Sequence, residues 1–198
     1  TALLVGPAGL RVVVVGIGPI DVTPEQVRRA VGAAVRLVAG LPASAPQVVA
    51  ISLETAEPQL IKGAAEGALL GAYSYRPATG EAAGIGQLVL VSPSRKPEAR
   101  QALDLAVTTA KAVNTARDWV NTPANLLYPE SFADDARQLA RGAKIGIELW
   151  DDKALERDGF GGLLAVGGGS QRKPRLLKLS YAPRGARFHI RHLKVAGT

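Results

Sequence analysis

Apolar positions switch between two periods along this chain. Arg11–Gly16, R-V-V-V-V-G, is an unbroken β-branched run, which predicts a strand buried on both faces. After a turn at Ile17–Asp21, Thr23-Pro24-Glu25-Gln26 has the form of a helix start. Thr is the cap, Pro takes the first position and Gln lies three after the cap. Val27, Ala30, Val31, Ala34, Val35 and Val38 then recur at helical spacing, and Gly40 and Pro42 end the run. Gln47–Leu53 predicts the next strand, so strand, helix and strand read as a right-handed βαβ unit in a parallel sheet.

Ala56 to Tyr73 predicts a second helix, whose Gly63, Ala64, Gly67, Ala68 and Gly71 point to close packing against the sheet. Arg76–Gly86 reads as loop, Gln87–Ser92 as a third buried strand and Ser94–Pro97 as a turn. Glu98 to about Val120 is a long helix with Leu103, Ala106, Ala110 and Val113 on one face and Arg117 and Asp118 at its end. Beyond Pro123, Tyr128-Pro129-Glu130 opens a helix running to about Arg141, Ile145–Trp150 reads as a strand, and Asp151-Asp152-Lys153 caps a short helix ending at Gly159. Leu163–Val166, Arg175–Tyr181 and Phe188–Val195 are expected strands, the first two around a Gly167–Pro174 turn. The expected class is therefore α/β. It divides into an N-terminal domain at 1–93, a connecting helix at 94–121 and a further α/β region at 122–198, without internal repeats.

Composition adds bounds. At 198 residues the chain suits one large domain or two small ones. No apolar run approaches the roughly 18 residues of a membrane span. The N-terminus lacks the basic segment of a signal peptide, so cytoplasm is the expected location, and the absence of Met makes Thr1 an expected internal start. Absence of Cys excludes disulfides and thiolate zinc sites. The net charge of +7 is unevenly placed: no acidic residue follows Asp158, whereas Arg172, Lys173, Arg175, Lys178, Arg184, Arg187, Arg191 and Lys194 do. Such a tail is compatible with nucleic-acid binding. The plainer expectation is a domain whose acidic partners lie further along the gene, because the basic residues are spread over strand-like sequence rather than clustered.

Candidate chemistry is sparse. Gly167-Gly168-Gly169-Ser170 invites a phosphate-loop reading, but no G-K-[ST] follows and Lys173-Pro174 leads into a strand rather than a helix N-terminus. Val15-Gly16-Ile17-Gly18 is half of a dinucleotide fingerprint, with Pro19 obstructing the turn. His189 and His192, the only histidines, would point to opposite faces of a strand and could not share a metal. Asp134/Asp135 and Asp151/Asp152 are adjacent carboxylates that do not face one another; the expected roles are a solvated helix face and a helix cap. The residues by themselves thus show an α/β scaffold without visible catalytic apparatus.

Four segments in register resemble the leucyl aminopeptidases, the cytosol aminopeptidase family. They are A-A-E-G-A-L-L-G-A-Y-S at 64–74, K-A-V-N-T-A-R-D-W-V-N-T-P-A-N-L-L-Y-P-E-S-F-A at 111–133, D-D-K-A-L-E-R-D-G-F-G-G-L-L-A-V-G-G-G-S at 151–170 and P-R-L-L-K-L-S-Y at 174–181. The resemblance implies a macro-domain-like, mainly parallel N-terminal sheet, incomplete at its front, followed by the beginning of a peptidase domain. It implies a parent that is a metal-dependent exopeptidase releasing N-terminal amino acids from peptides, leucine among the better ones. That parent uses two divalent ions, Zn²⁺ or Mn²⁺, bridging a water, and assembles as a hexamer. Some members of the family also bind DNA.

The family's metal ligands come from V-G-K-G-[IL]-T-F-D-[ST]-G-G and N-T-D-A-E-G-R-L, and neither string occurs in this sequence, which closes on L-K-V-A-G-T. Lys194 precedes the expected lysine and is not assigned its role. No residue of the chain is therefore assigned a catalytic or metal-binding role, the substrate-binding residues stay open, and the two ions are expected only of the full-length parent. The expectation is a chain inactive alone. A binding module for DNA or an ADP-ribose-like ligand, or a hexamer-assembly domain, is the alternative.

Overall fold

Helix α1, Pro24–Ala39, begins where the sequence places it. Thr23 and Gln26 form a reciprocal capping box: the Gln26 backbone N–H donates to the Thr23 hydroxyl at 3.3 Å, and the Thr23 N–H donates to the Gln26 side chain at 2.8 Å. Glu25, in the first turn, takes Arg28 and Arg29 at 2.7 Å, and these hydrogen bonds hold its carboxyl below the usual carboxylate range. The helix buries Val27, Val31, Gly32 and Val35.

The computed structural model describes residues 2–5, 10–18, 21–42, 47–75, 84–143 and 145–181, with the backbone alone at 191–197. The chain separates into two compact units, Thr1–Val120 and Asn121–Thr198. In the first, β1 (Ala2–Val5) pairs antiparallel with β2 (Arg11–Val14). Beyond α1, β3 (Gln47–Ser52) and β4 (Ile85–Val91) pair in parallel around helix α2 (Pro58–Gly71), and α3 runs from Pro97 to Asn121. The α/β expectation holds, with two corrections. The βαβ unit is β3–α2–β4 rather than the one around α1. Strand β2 is not buried on both faces: Val12 and Val14 are 39% and 52% exposed, because its ladder partner among the described residues is the similarly exposed hairpin strand β1. Strand β4 is likewise only partly buried.

The core of the first unit gathers Val27, Val31 and Val35 of α1 with Ala64 and Ala68 of α2; Ile51 and Leu53 and Ile85, Leu88 and Leu90 pack around it. Full burial of a valine contributes about 1.5–3 kcal/mol. The small residues of α2 do not face the sheet alone, as expected from the sequence. Gly63, Gly67 and Gly71, one helical turn apart, lie directly against the backbone of α1 at Pro24, Arg28 and Gly32. A Cβ on Gly63 or Gly71 would stand 2.5 Å from the Pro24 carbonyl oxygen or 2.6 Å from that of Gly32. Only bare backbone lets the two helices approach this closely.

In the second unit, α4 (Pro129–Ala143) packs Ala133, Ala136 and Ala140 inward. Strands β5 (Gly146–Trp150), β6 (Arg175–Tyr181) and β7 (Arg191–Gly197) form an antiparallel sheet with β6 central. Helix α5 (Asp152–Arg157) is capped by Asp151, whose carboxylate accepts from the Ala154 N–H at 2.8 Å, and Gly159 turns the chain with φ +78°. The expected strand at Leu163–Val166 is helix α6 (Gly161–Gly167). A four-residue apolar run does not distinguish the two states, and here the Leu163 and Leu164 N–H groups turn back onto the Phe160 carbonyl. Of the expected last strand at Phe188–Val195, the part from Arg191 on lies in β7; residues 182–190 lie outside the described set.

The turn after α5 is fastened by charge. Asp158 accepts from the Trp150 indole at 2.8 Å and from Arg157 at 2.7 Å, while Trp150 meets Phe160 edge to face. Hydrogen bonding to Arg157, then to Trp150, lowers the Asp158 pKa; the same pairing raises that of Arg157.

Two outcomes test this construction. Gly67→Ala should force α1 and α2 apart, costing about 1–3 kcal/mol and lowering the urea midpoint. Gly142→Ala, in α4 with nothing near its would-be Cβ, should instead gain up to about 1 kcal/mol. Asp158 has a depressed folded-state pKa, so its contribution is present above the ordinary carboxylate value and is lost as pH falls through the folded one. The thermal midpoints of the native chain and Asp158→Asn should therefore differ at neutral pH and converge in acid. A gap that widens in acid would contradict the assignment.

Candidate functional site

The two most distinctive stretches of the sequence, Ala116–Leu126 and Gly159–Ser170, supply structural rather than reactive groups. At the first, α3 carries Asn114 and Arg117 to the C-terminal end of α2. The Asn114 amide donates to the Leu69 carbonyl at 3.3 Å, and the Arg117 guanidinium donates to the Leu70 carbonyl at 3.1 Å. Arg117 also lies 5.3 Å from the centre of the Tyr73 ring, and the Tyr73 hydroxyl donates to Asp118 at 2.9 Å. The sequence places Arg117 and Asp118 at a helix end, as found; their partners, some 45 residues earlier, leave no local signal.

At the second, three of the backbone N–H groups that a phosphate loop would need are already used. Gly168 N–H donates to the Leu164 carbonyl, Ser170 N–H to that of Gly167, and Arg172 N–H to the Ser170 hydroxyl at 3.0 Å. Lys173 turns back onto the Gly168 carbonyl at 3.2 Å. Gly167 is packed against the Pro174 ring, which would lie 2.9 Å from a Cβ. The stretch follows a helix rather than the expected strand, and it forms turns rather than an anion cradle. In the same unit Arg172 stacks over the Tyr128 ring at 3.7 Å, joining this turn to the segment that opens α4. Near the front of the chain, Gly18 has φ +101°, a backbone conformation that favours glycine.

Two of the basic residues after Asp158, Arg175 and Lys178, pair with acidic residues earlier in this chain. Arg175, 17% exposed, bridges Asp152 at 3.4 Å and Glu130 at 3.9 Å. Lys178 pairs at 2.7 Å with Glu148, the residue directly across the ladder. Arg184 and Arg187 lie outside the described residues, and at Arg191 and Lys194 only the backbone is described.

The fit of a metal pair follows from the same partners. Two divalent ions need several converging carboxylate, imidazole or amine ligands. Among the described residues no group of three or more His, Asp or Glu could hold an ion, and no buried side-chain nitrogen or oxygen lacks a hydrogen-bond partner. Asp134 pairs with Arg137, Asp151 caps α5, Asp152 holds Arg175, and Asp158 holds Arg157. His192 lies in β7 opposite Ser180, and His189 is outside the described residues. The described residues do not fit a two-metal centre. Nor is any of their helices long and apolar enough to cross a membrane.

Comparison with known proteins supplies what the local chemistry does not. Residues 1–77 match the N-terminal domain of the cytosol aminopeptidase family, and residues 114–193 match its catalytic domain. The chain is 42% identical over 183 residues to a probable cytosol aminopeptidase of Cutibacterium acnes, covering 90% of this chain and 35% of that protein. It is 40% identical over 174 residues to the corresponding protein of Streptomyces avermitilis, covering 84% and 33%. It thus spans about a third of the length of the curated relatives it matches. Among solved structures, the bottromycin maturation enzyme BotP in complex with Mn superposes with a TM-score of 0.77 at 30% identity, covering 92% of this chain and 39% of that one. A tomato leucine aminopeptidase mutant gives a TM-score of 0.77 at 21% identity, covering 94% and 38%, a likeness of fold. With both family domains matched in order and the fold shared across nearly its whole length, the chain belongs to the cytosol aminopeptidase family.

Proposed function

We propose that this chain forms the leading part of a metal-dependent aminopeptidase that removes N-terminal amino acids from peptides. The single observation that carries the reading is the ordered match of both family domains within one sequence, 1–77 and then 114–193. In this reading residues 1–93 are the N-terminal domain, 94–121 the connecting helix and 122–198 the start of the peptidase domain. The two divalent ions expected of such a parent, Zn²⁺ or Mn²⁺, would be held by residues outside this sequence and would supply Lewis-acid chemistry for peptide hydrolysis. What these residues contribute is the scaffold, with α4, α5 and β6 tied together through Arg175. A cytoplasmic, hexameric parent is part of the same proposal, which rests there on the family resemblance. The DNA-binding alternative loses support because Arg175 and Lys178 spend their charge on internal acidic partners.

Residues 1–198 alone should release no leucine from a chromogenic leucine amide in the presence of Mn²⁺ or Zn²⁺. A chain extended through the relatives' full length should do so and lose the activity on chelation. Metal-dependent turnover by residues 1–198 would overturn the assignment of the ligands to other segments.

A further inference from the structure

We propose that Tyr73, Asn114, Arg117 and Asp118 form a latch that fixes the last turns of α3 to the end of α2. The latch thereby holds, from within the first unit, the point at which the chain passes into the second. The need for it follows from how α3 is buried. Its apolar anchor is Ala99, Ala102, Ala106 and Ala110, and no residue of α3 after Ala110 is buried. Val113 and Val120 are 37% and 85% exposed. Full burial therefore ends three turns before the helix does, with Trp119 only partly buried beyond that point.

The electrostatics of the last turn also oppose helix. The last turn carries no basic residue but does carry Asp118, a negative charge at the negative end of the helix dipole. Such an end frays unless tertiary contacts hold it.

Helix α2 has the complementary deficit. Its terminal carbonyls lack intrahelical donors, and its last turn carries no basic residue of its own. Asn114 and Arg117 supply both needs from α3: donors for the Leu69 and Leu70 carbonyls, and a positive charge at the negative end of α2. Arg117 is half-buried, 3.4 Å from the Asn114 side-chain oxygen and over the Tyr73 ring; Tyr73 in turn donates to Asp118. Arg117 thus offsets the negative end of α2, and Tyr73 donates a hydrogen bond to the Asp118 carboxylate at the end of α3. Because the contacts are polar and partly exposed, they can open without disturbing the core around Val27 and Ala64.

Amide hydrogen exchange on residues 1–198 tests the latch. Arg117→Gln should accelerate exchange of the amides of 115–121 by about tenfold or more, leaving α1 and the first turns of α2 unchanged. Tyr73→Phe keeps the ring beneath the guanidinium and should give a smaller acceleration confined to 118–121. Lys111→Gln removes a cation from the exposed face of the same helix and should change neither. The proposal is overturned if Arg117→Gln leaves 115–121 unaltered, if it accelerates α1, α2 and α3 alike, or if Lys111→Gln has the same effect. Should Arg117→Gln fail to fold, the absence of any acceleration in Tyr73→Phe overturns it.

Discussion

The contact between the backbones of α1 and α2 is the constraint on which the first unit depends. Three glycines one turn apart on α2 let it lie against Pro24, Arg28 and Gly32 of α1. At that separation Val27, Val31 and Val35 reach Ala64 and Ala68, and the β3–β4 pair can close over them. A methyl group at any of the three glycines would have to displace backbone rather than a flexible side chain, so accommodation means moving a whole helix. The capping box at Thr23 serves the same contact, because it fixes where α1 begins and hence which of its residues meet the glycines.

The second unit is organised more by charge. Its fully buried anchors are few, Leu155 and Pro174 among the largest. Around them Arg175 joins the start of α4 to the start of α5, and Lys178 joins β6 to β5. Exposed pairs of this kind contribute little individually, but Arg175 is mostly buried and serves two carboxylates from different elements. These partners also change the meaning of the basic run after Asp158. A net count along the sequence shows an unopposed positive tail; in the fold two of its members, Arg175 and Lys178, neutralise acidic residues that come earlier.

Much of the secondary structure was legible because its signals are local. The Thr-Pro-Glu-Gln start of α1, the Asp151 cap of α5 and the bounds of α3 all follow from a few neighbouring residues. The short apolar run at Leu163–Val166 was read as strand and is helix, since four residues carry too little periodicity to separate the two. Strand partners were legible only in part: nothing within R-V-V-V-V-G says whether it pairs with β1 or with a strand beyond a helix. The candidate site was legible only as an assignment to a family. Its motifs proved to hold caps and turns, and the described carboxylates serve cations and backbone groups within the chain.

The sequence by itself determined the α/β class, the places where helices start and stop, and the family, because each rests on residues close together or on segments in a fixed order. Tertiary structure decided which face the glycines of α2 serve, which acids the late basic residues meet, and that Arg117 and Asn114 complete the end of a helix some 45 residues away. Those outcomes depend on distances across the fold, and pairing between groups far apart in the chain leaves no trace in the order of residues around either one.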